Sequence, residues 1–329
     1  MLLPFEEVRS VLDRLLLNSG FSPENAGILA RIFSESNRDG YASHGINRFP
    51  LFIRGIREGY IIPDRIAEPD QAFGAFERWN GNSGAGILNA TVCMDRAMEL
   101  AGGQGIGCVA LCNTNHWMRG GTYGWQAIDA GCGALCWTNT TPNMPPWGGH
   151  RSHTGNNPLV LAIPGPENMP LVLDMALSQY SYGKLDSFRR RGRQLPFPGG
   201  FNKSGMLTND PDEILISGQL LPAGLWKGSG LSLMLDLFAA LLSSGQASVH
   251  IGRQDHEYGL SQVFIAFDLK LFSAEQFREK LIREVVGYFK DSSGDARFPG
   301  EQTLVRRRKT STRGIEVDPD YWTEILQLE

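Results

Sequence analysis

Apolar residues recur at helical spacing along the N-terminal part of the chain, from about residue 5 to residue 59. This spacing places apolar side chains on one face of a helix and predicts that the face is buried. Ser22 and Pro23, a typical N-cap and first-turn pair, indicate the start of a second helix. A polar break at residues 37–40 follows it, and we expect a third helix to open at His44.

From about residue 63 the pattern changes to short apolar runs that alternate with longer amphipathic stretches. This alternation is typical of a mixed α/β protein. The expected strands span residues 73–79, 106–111, 134–138, 159–163, 171–175 and 262–267. The expected helices span residues 83–101, 122–130, 176–190, 227–242, 274–290 and 319–328.

Composition and charge narrow the functional classes. The chain has 329 residues, 42% hydrophobic and 20% charged, which suits a globular protein of two domains or of one large domain with an appendage. The net charge of -4 argues against a nucleic-acid partner, which would need a concentrated basic face. Acidic residues interrupt the first apolar run at Glu6, and no apolar run is long enough for a membrane span. We expect a cytoplasmic protein.

The cysteines do not indicate a metal site. Five are present, an odd number, and Cys108 and Cys112 are spaced like metal ligands. In the strand predicted here, four residue steps would separate their sulfurs by roughly 13 Å, too far for one zinc ion. We expect free thiols and no metal.

The segment from Ser43 to Phe49 contains the strongest candidate chemistry. If it opens a helix, His44 and Arg48 share one face because they are four residues apart. Histidine exchanges a proton near neutral pH, and the arginine fork matches a carboxylate. The pair therefore suits a 2-keto or 2-hydroxy acid. A histidine at a helix start beside a solvated arginine is the structural alternative.

Two further residues are candidates because they lie at strand ends, where loops often carry site residues. His116 follows the predicted strand 106–111, and Asp174 ends the apolar run of the strand 171–175. A buried carboxylate needs a partner. For Asp174 the partner would be a histidine, whose tautomer the carboxylate would fix, or the start of the following helix, which it would cap. Both roles stay open.

Several anion-binding patterns are weaker. Residues 105–110 match G-x-G-x-x-A, but here a helix precedes the glycines and a strand follows them, the reverse of the order in a Rossmann site. We therefore reject the Rossmann interpretation. The glycine-rich helix start at Trp226 and Lys227 could hold an anion. The basic runs 189–193 and 306–309 suit either a phosphate or a solvated surface.

Longer motifs extend over most of the chain, at residues 43–49, 115–121, 123–126, 137–139, 144–148, 182–183, 192–196 and 226–230. Together they resemble the malate/L-lactate dehydrogenase type-2 family of oxidoreductases. The resemblance implies a mixed α+β, non-Rossmann NAD(P)H-binding fold with a mixed, largely antiparallel sheet. It also implies a helical domain built from both chain termini, residues 1–72 plus 295–329, a cofactor- and substrate-binding α/β domain of residues 73–294, and a homodimer.

The same resemblance implies hydride transfer from NADH, or else NADPH, to a small-molecule keto acid, with 2,3-diketo-L-gulonate as the expected substrate. His44 would be the proton donor. We expect Arg48 to hold the substrate carboxylate, Asp174 to orient the histidine ring and His116 to line the pocket. By family position the cofactor contacts would be Val172, Leu173, Asp174, Met175, Ala176, Leu177, Ser178, Trp226, Lys227, Gly300, Glu301 and Gln302.

Two departures from the family pattern affect these expectations. The family reads Gly-His-Glu where this chain has Gly300, Glu301 and Gln302, and Arg-Ile-Gly-Thr-Asn-Pro where this chain has residues 153–158. Arg151 could replace the lost positive charge. Malate, lactate, ureidoglycolate or a cyclic imino acid are therefore alternative substrates, and a catalytically silent NAD(H)-binding subunit is an alternative of another class.

Overall fold

The computed structural model describes residues 1–167, 169–292 and 294–328. In chain order its α-helices, α1 to α12, are Phe5–Asn18, Pro23–Arg38, Phe49–Arg57, Gly86–Gln104, Gly121–Asp129, Tyr182–Arg190, Pro211–Ser217, Trp226–Ser243, Ser248–Ile251, Glu275–Lys290, Glu301–Arg313 and Pro319–Leu326. Its strands, β1 to β12, are Leu2–Leu3, Glu68–Phe73, Phe76–Asn80, Ile106–Thr114, Gly133–Thr138, Leu159–Ile163, Leu171–Met175, Gly200–Phe201, Leu207–Thr208, Gln219–Leu220, Leu260–Phe267 and Ile315–Glu316.

A seven-stranded sheet organises the middle of the chain, in the order β2-β3-β4-β11-β5-β6-β7. Every neighbouring pair is antiparallel except β3 and β4, which run parallel. The predicted mixed, largely antiparallel sheet is thus confirmed. Along β4 the side chains alternate between two apolar cores: Val109 packs with α4 and α5, and Ala110 packs with α8 on the other face.

A further apolar core joins both ends of the chain. Leu12, Phe33 and Phe49 from the first three helices pack in one cluster with Trp322 and Ile325 of α12. Strand β1 pairs with β12 next to this cluster, so the first residues of the chain are hydrogen-bonded to the segment between α11 and α12. The packing places the His44 segment between this core and the sheet.

Some predicted elements need correction. The strand predicted at 73–79 is a hairpin, because Gly74 adopts a φ of +60° and turns the chain between β2 and β3. The helix predicted at 176–190 begins only at Tyr182, where Ser181 caps it. The residues before it form an irregular segment, and Ser178 bridges to Pro222.

Helix α11 lies in the C-terminal segment that the sequence had marked only as charged. Thr303 is its one fully buried residue, so it has no apolar stripe that would indicate a helix. The order of elements around Gly105 is as predicted: this residue ends α4 with a φ of +83°, and β4 begins at Ile106. Of the helices in the described ranges, none has the length and apolar character that crossing a membrane requires.

Candidate active site

The segment that carries His44 and Arg48 does not open an α-helix, so this prediction was wrong. The two residues end two consecutive 3₁₀ turns, Ala42–His44 and Ile46–Arg48, and α3 begins only at Phe49. Helical spacing therefore does not explain how the two side chains come to face the same region.

Gly45 sets the geometry between the two turns. A Cβ on this residue would lie 2.2 Å from Asn37 Oδ1, so the chain can pass here only without a side chain. The same Asn37 Oδ1 accepts a hydrogen bond from the Ile46 backbone N–H at 2.7 Å. The polar break at the end of α2 thus fixes the backbone directly after His44.

His44 and His116 lie together, as the sequence suggested for two site residues. Their rings stack with centroids 6.0 Å apart and planes 30° apart. His44 Nδ1 is 3.1 Å from the Ser43 hydroxyl, and His116 Nδ1 accepts a hydrogen bond from the Met118 backbone N–H at 2.9 Å. Both rings therefore use Nδ1 for positioning, which leaves Nε2 for a ligand.

A cavity of about 250 Å³ lies beside this pair. Arg48, His116, Asn115 and Glu257 are among the residues that line it, whereas His44 stacks behind His116. Arg48 Nη2 is 3.9 Å from Glu257 Oε1, and among the described residues its guanidinium makes no hydrogen bond. An arginine with free donors in a cavity is suited to bind a carboxylate.

Both histidines are neutral near pH 7. Burial is the main cause that lowers the pKa of His44 to about 3, and electrostatic interaction with the nearby His116 and Arg48 lowers it further. Burial, followed by the charge of Arg48, also lowers the pKa of His116 to about 3. A carboxylate bound to Arg48 would offset one of these positive charges and favour the protonated ring.

The contacts of Asp174 match neither of its predicted roles. Its Oδ2 accepts a hydrogen bond from the Gly121 backbone N–H at 2.9 Å, at the start of α5, and lies 3.8 Å from Arg119 Nε. It neither orients the His44 ring nor caps the helix that follows it in sequence. Burial raises the pKa of Asp174, against the effects of Arg119 and Gly121. Ser43 is the residue that contacts His44 Nδ1.

Asp39 and Arg119 form a buried ion pair that the sequence did not single out. Their side chains are 1% and 4% exposed. Asp39 also accepts hydrogen bonds from Arg307 Nε and Nη2, both at 2.8 Å. Burial alone would raise the pKa of Asp39, but the hydrogen bond from Arg307 and the charge of Arg119 lower it overall. Arg119 in turn contributes to the low pKa of His44.

The segments expected to contact a cofactor come together along one edge of the sheet. The Val172 N–H donates to Pro299 O at 3.1 Å, directly before Gly300. At the other end of the segment, Leu177 O accepts from Ala223 N–H at 2.8 Å, close to the start of α8. Residues 172–178 thus connect the start of α11 with the start of α8.

The remaining predicted cofactor residues differ in exposure. Trp226 is 66% exposed at the start of α8, next to the exposed Lys227. Glu301 forms an ion pair with Lys290, and Gln302 is exposed in the first turn of α11. Leu173, Met175 and Ala176 are half-buried along the same edge, whereas Ser178 is buried at its end.

Comparison with known proteins decides the family. The profile of the malate/L-lactate dehydrogenase family matches residues 3–326. The chain belongs to this family. A malate/L-lactate dehydrogenase family member from Escherichia fergusonii, named 2,3-diketo-L-gulonate reductase, is 42% identical over 336 aligned positions, with 100% of both chains covered.

Solved structures of the malate/L-lactate dehydrogenase fold agree with this assignment. Sulfolactate dehydrogenase from Methanocaldococcus jannaschii superposes with a TM-score of 0.91 at 27% identity, covering 100% of this chain and 96% of that one. Δ1-piperideine-2-carboxylate reductase from Pseudomonas syringae gives a TM-score of 0.88 at 26% identity, covering 100% of both chains. The chain is accordingly an oxidoreductase acting on CH–OH groups, and its family implies a nicotinamide cofactor.

The acidic, histidine and cysteine side chains are spread over the chain. Among the residues that the structure describes, no group of three or more histidine, cysteine or acidic side chains is placed to hold a metal ion. All five cysteines are free thiols, and Cys93, Cys132 and Cys136 are buried.

Proposed function

We propose that this chain reduces the C2 carbonyl of a 2-keto acid with NADH, and that 2,3-diketo-L-gulonate is its substrate. The observation that carries the proposal is the cavity lined by Arg48, whose guanidinium makes no hydrogen bond among the described residues, and by His116, whose ring stacks on that of His44. The 42% identical relative from Escherichia fergusonii, named for this substrate, supports the choice of acid.

We further propose that the nicotinamide cofactor lies along the outer edge of β7, in a non-Rossmann site. An edge strand presents unpaired backbone N–H and C=O groups. Gly300, with a φ of +95°, lies against this edge, and a Cβ there would come within 3.1 Å of Val172 N. Trp226 and Lys227 would supply a ring and a positive charge at the other end. The residues present therefore fit such a cofactor.

When bound, the reduced nicotinamide supplies the hydride for the C2 carbonyl carbon. Arg48 binds the substrate carboxylate through its free donors and thereby fixes the keto group. His44, positioned by Ser43, donates a proton from Nε2 to the carbonyl oxygen, where negative charge develops. His116 lines the pocket and holds the His44 ring from the side. Such proton donation contributes about 10²–10⁴-fold to rate.

In this mechanism, protonation of the His44 ring depends on whether the substrate is bound. In the free protein the ring is neutral, because burial and neighbouring positive charges lower its pKa to about 3. The substrate carboxylate cancels the charge of Arg48 and favours the imidazolium form. Binding of the substrate therefore shifts the pKa of His44 upward, toward the proton-donating form.

The test is a His44→Ala variant assayed by NADH absorbance. We expect the rate of reduction to fall about 10²-fold or more, while NADH binding, followed by fluorescence, stays nearly unchanged. His150→Ala is the matched control, because His150 is exposed and its side chain has no described partner. Normal turnover by the His44→Ala variant would remove His44 from the mechanism.

A panel of keto acids separates the alternative functions. Oxidation of malate, lactate or ureidoglycolate with NAD+, or reduction of a cyclic imino acid with NADH, in preference to turnover of 2,3-diketo-L-gulonate would assign the same chemistry to another substrate. NADH binding without turnover on any substrate would indicate a silent cofactor-binding subunit. Assays with NADH and NADPH on one good substrate determine the cofactor, and we propose NADH.

We also propose a homodimer. Helix α8 leaves Met234, Phe238 and Leu241 between 49% and 74% exposed, at helical spacing on one face. Contiguous exposed apolar side chains of this kind mark interaction surfaces, and a second copy would cover them. Phe238→Glu should convert the dimer to a monomer in light-scattering measurements, whereas Leu17→Glu, on α1, should not. A wild-type monomer would refute this assignment.

The shared core of the two chain ends supports the proposed domain division. Residues 1–72 and 295–329 would form the helical domain, and residues 73–294 would form the cofactor- and substrate-binding domain. Within the first range, residues 68–72 belong to β2 and therefore to the sheet. The pairing of β1 with β12 and the packing of α12 against the N-terminal helices favour this division.

A further inference from the structure

The charges around the cavity are unbalanced toward negative. Arg48 is the one arginine or lysine that lines it in the described parts of the chain, whereas Asp255 and Glu257 both contribute carboxylates. His116 is neutral near pH 7 because its pKa is lowered to about 3, mainly by burial. His256 also lines the cavity, and its Nε2 lies 3.2 Å from Glu58 Oε2. The cavity can therefore neutralise one ligand carboxylate through Arg48, whereas its own carboxylates oppose a second one.

The position of Glu257 is fixed from outside the cavity. Its Oε2 accepts a hydrogen bond from the Thr141 backbone N–H at 2.9 Å. Its Oε1 lies 3.9 Å from Arg48 Nη2 and 4.0 Å from His116 Nε2, too far for a hydrogen bond to either. One oxygen thus holds the side chain in place, and the other is left as an acceptor without a donor.

Asn115 lines the same cavity, but its amide is held by the protein. Its residue is 2% exposed, and its Nδ2 donates to the carbonyl oxygens of Tyr60, Ser83 and Gly84. Its Oδ1 is buried and closed off from a ligand. Glu257 Oε1 is therefore the side-chain acceptor that this part of the cavity offers to a ligand.

We propose that Glu257 is the specificity-determining residue of this site, selecting hydroxylated 2-keto monocarboxylates and rejecting dicarboxylates. Arg48 takes the carboxylate, and Glu257 Oε1 accepts a hydrogen bond from a hydroxyl group on the tail. A second carboxylate on the tail would face Glu257 and Asp255 and be repelled. The inference rests on the proposed reductase function and names the substrate class within it.

The structure offers physical support for this substrate class. 2,3-Diketo-L-gulonate carries one carboxylate and has hydroxyl groups on C4, C5 and C6, which supply the missing donors. The volume of about 250 Å³ lies below the roughly 300–1,000 Å³ of pockets that hold drug-sized ligands, which suits a small acid. Oxaloacetate has a similar backbone, but its tail ends in a carboxylate and provides no donor.

The experiment compares kcat/KM for 2,3-diketo-L-gulonate and oxaloacetate in the wild type and in Glu257→Gln. The variant keeps the size of the side chain and removes its charge. We expect the ratio of kcat/KM for oxaloacetate to kcat/KM for 2,3-diketo-L-gulonate to rise by about tenfold or more in the variant. Glu99→Gln is the control, since Glu99 is exposed on α4, pairs with Arg96 and does not line the cavity, and it should leave the ratio unchanged.

A wild-type series keeps the proposal testable should the variant fail to fold. Hydroxypyruvate should be reduced with a higher kcat/KM than pyruvate, and oxaloacetate with a lower one. A wild-type preference for oxaloacetate, or a folded Glu257→Gln variant with an unchanged ratio, would overturn the role of Glu257 and leave the reductase function standing. Absence of reduction with every keto acid would instead overturn the reductase function itself.

Discussion

Replacing Asp39 by Asn tests whether the buried ion pair behind His44 stabilises the fold. Asp39 joins three parts of the molecule: the end of α2, Arg119 next to α5, and Arg307 on α11. Asparagine has nearly the same volume as aspartate but carries no charge. The substitution therefore leaves the packing in place and leaves the Arg119 guanidinium buried without its closest carboxylate.

The expected magnitude follows from burial. Removing one partner of a buried ion pair costs about 3–5 kcal/mol. Arg119 retains a more distant carboxylate, since its Nε lies 3.8 Å from Asp174 Oδ2, and it also packs over the Tyr41 ring at 4.1 Å. These contacts compensate in part. We therefore expect the free energy of unfolding to fall by about 3 kcal/mol, the lower end of that range.

Urea unfolding followed by tryptophan fluorescence measures the effect, and thermal unfolding should show a Tm lower by about 5 °C or more. Limited proteolysis should also cut more readily in α11, because Arg307 loses its partner. Asp70→Asn is the matched control: Asp70 is 51% exposed and pairs with Arg78 at 2.6 Å. Surface pairs contribute about 0–1 kcal/mol. A loss for Asp39→Asn no larger than that for Asp70→Asn would refute the reasoning.

Three further predictions concern the histidines and their turn. Because the pKa of His44 and of His116 is lowered to about 3, the unfolded chain binds protons below pH 6.5 that the folded chain does not. Stability should therefore fall as the pH drops from 6.5 toward 3, by about 1–2 kcal/mol for each ring at pH 5, and a His116→Asn variant should lose less in urea titrations. Gly45→Ala should cost about 1–3 kcal/mol and reduce turnover, because its Cβ would lie 2.2 Å from Asn37 Oδ1; unchanged stability and activity would contradict this geometry. Substrate binding should be accompanied by proton uptake, because the bound carboxylate cancels the charge of Arg48. Calorimetry in two buffers of different ionisation enthalpy measures this uptake. No uptake at pH 7 would contradict donation by His44.

The sequence predicted those elements that can be recognised from the pattern of neighbouring residues alone. Strands β6 and β7 were predicted at their observed bounds because each is a short apolar run between turn residues. Helix α8 differs by one residue at each end, since it is apolar over its whole length. Helix α11 was missed because its contacts are distant in sequence: Arg307 binds Asp39, and Thr310 Oγ1 donates to Arg38 O at 3.3 Å.

The same distinction between local patterns and distant contacts explains which residues of the site could be predicted from the sequence. His44, Arg48 and His116 stand in motifs that the family resemblance identifies, and the structure brings them together. Glu257 lies in a loop with no local signature, and its anchor, the Thr141 N–H, is 116 residues away. Asp174 was correctly expected to need a partner, but the partner, Gly121, is 53 residues away in sequence, at the start of α5. Pairings of this kind depend on tertiary packing, which neither periodicity nor spacing encodes.

These charges together explain how one small cavity can hold an anion and also supply a proton. A free site with a permanently protonated His44 beside Arg48 would place two positive charges together in a buried region, at a high cost in free energy. The structure avoids this cost, because burial and Arg48 keep the ring neutral until an anion arrives. Glu257, 3.9 Å from Arg48, partly balances the guanidinium in the meantime without a hydrogen bond that a substrate would have to break. On the proposed mechanism, the substrate carboxylate would complete the charge balance at Arg48 and shift the pKa of His44 upward, toward the form that donates a proton.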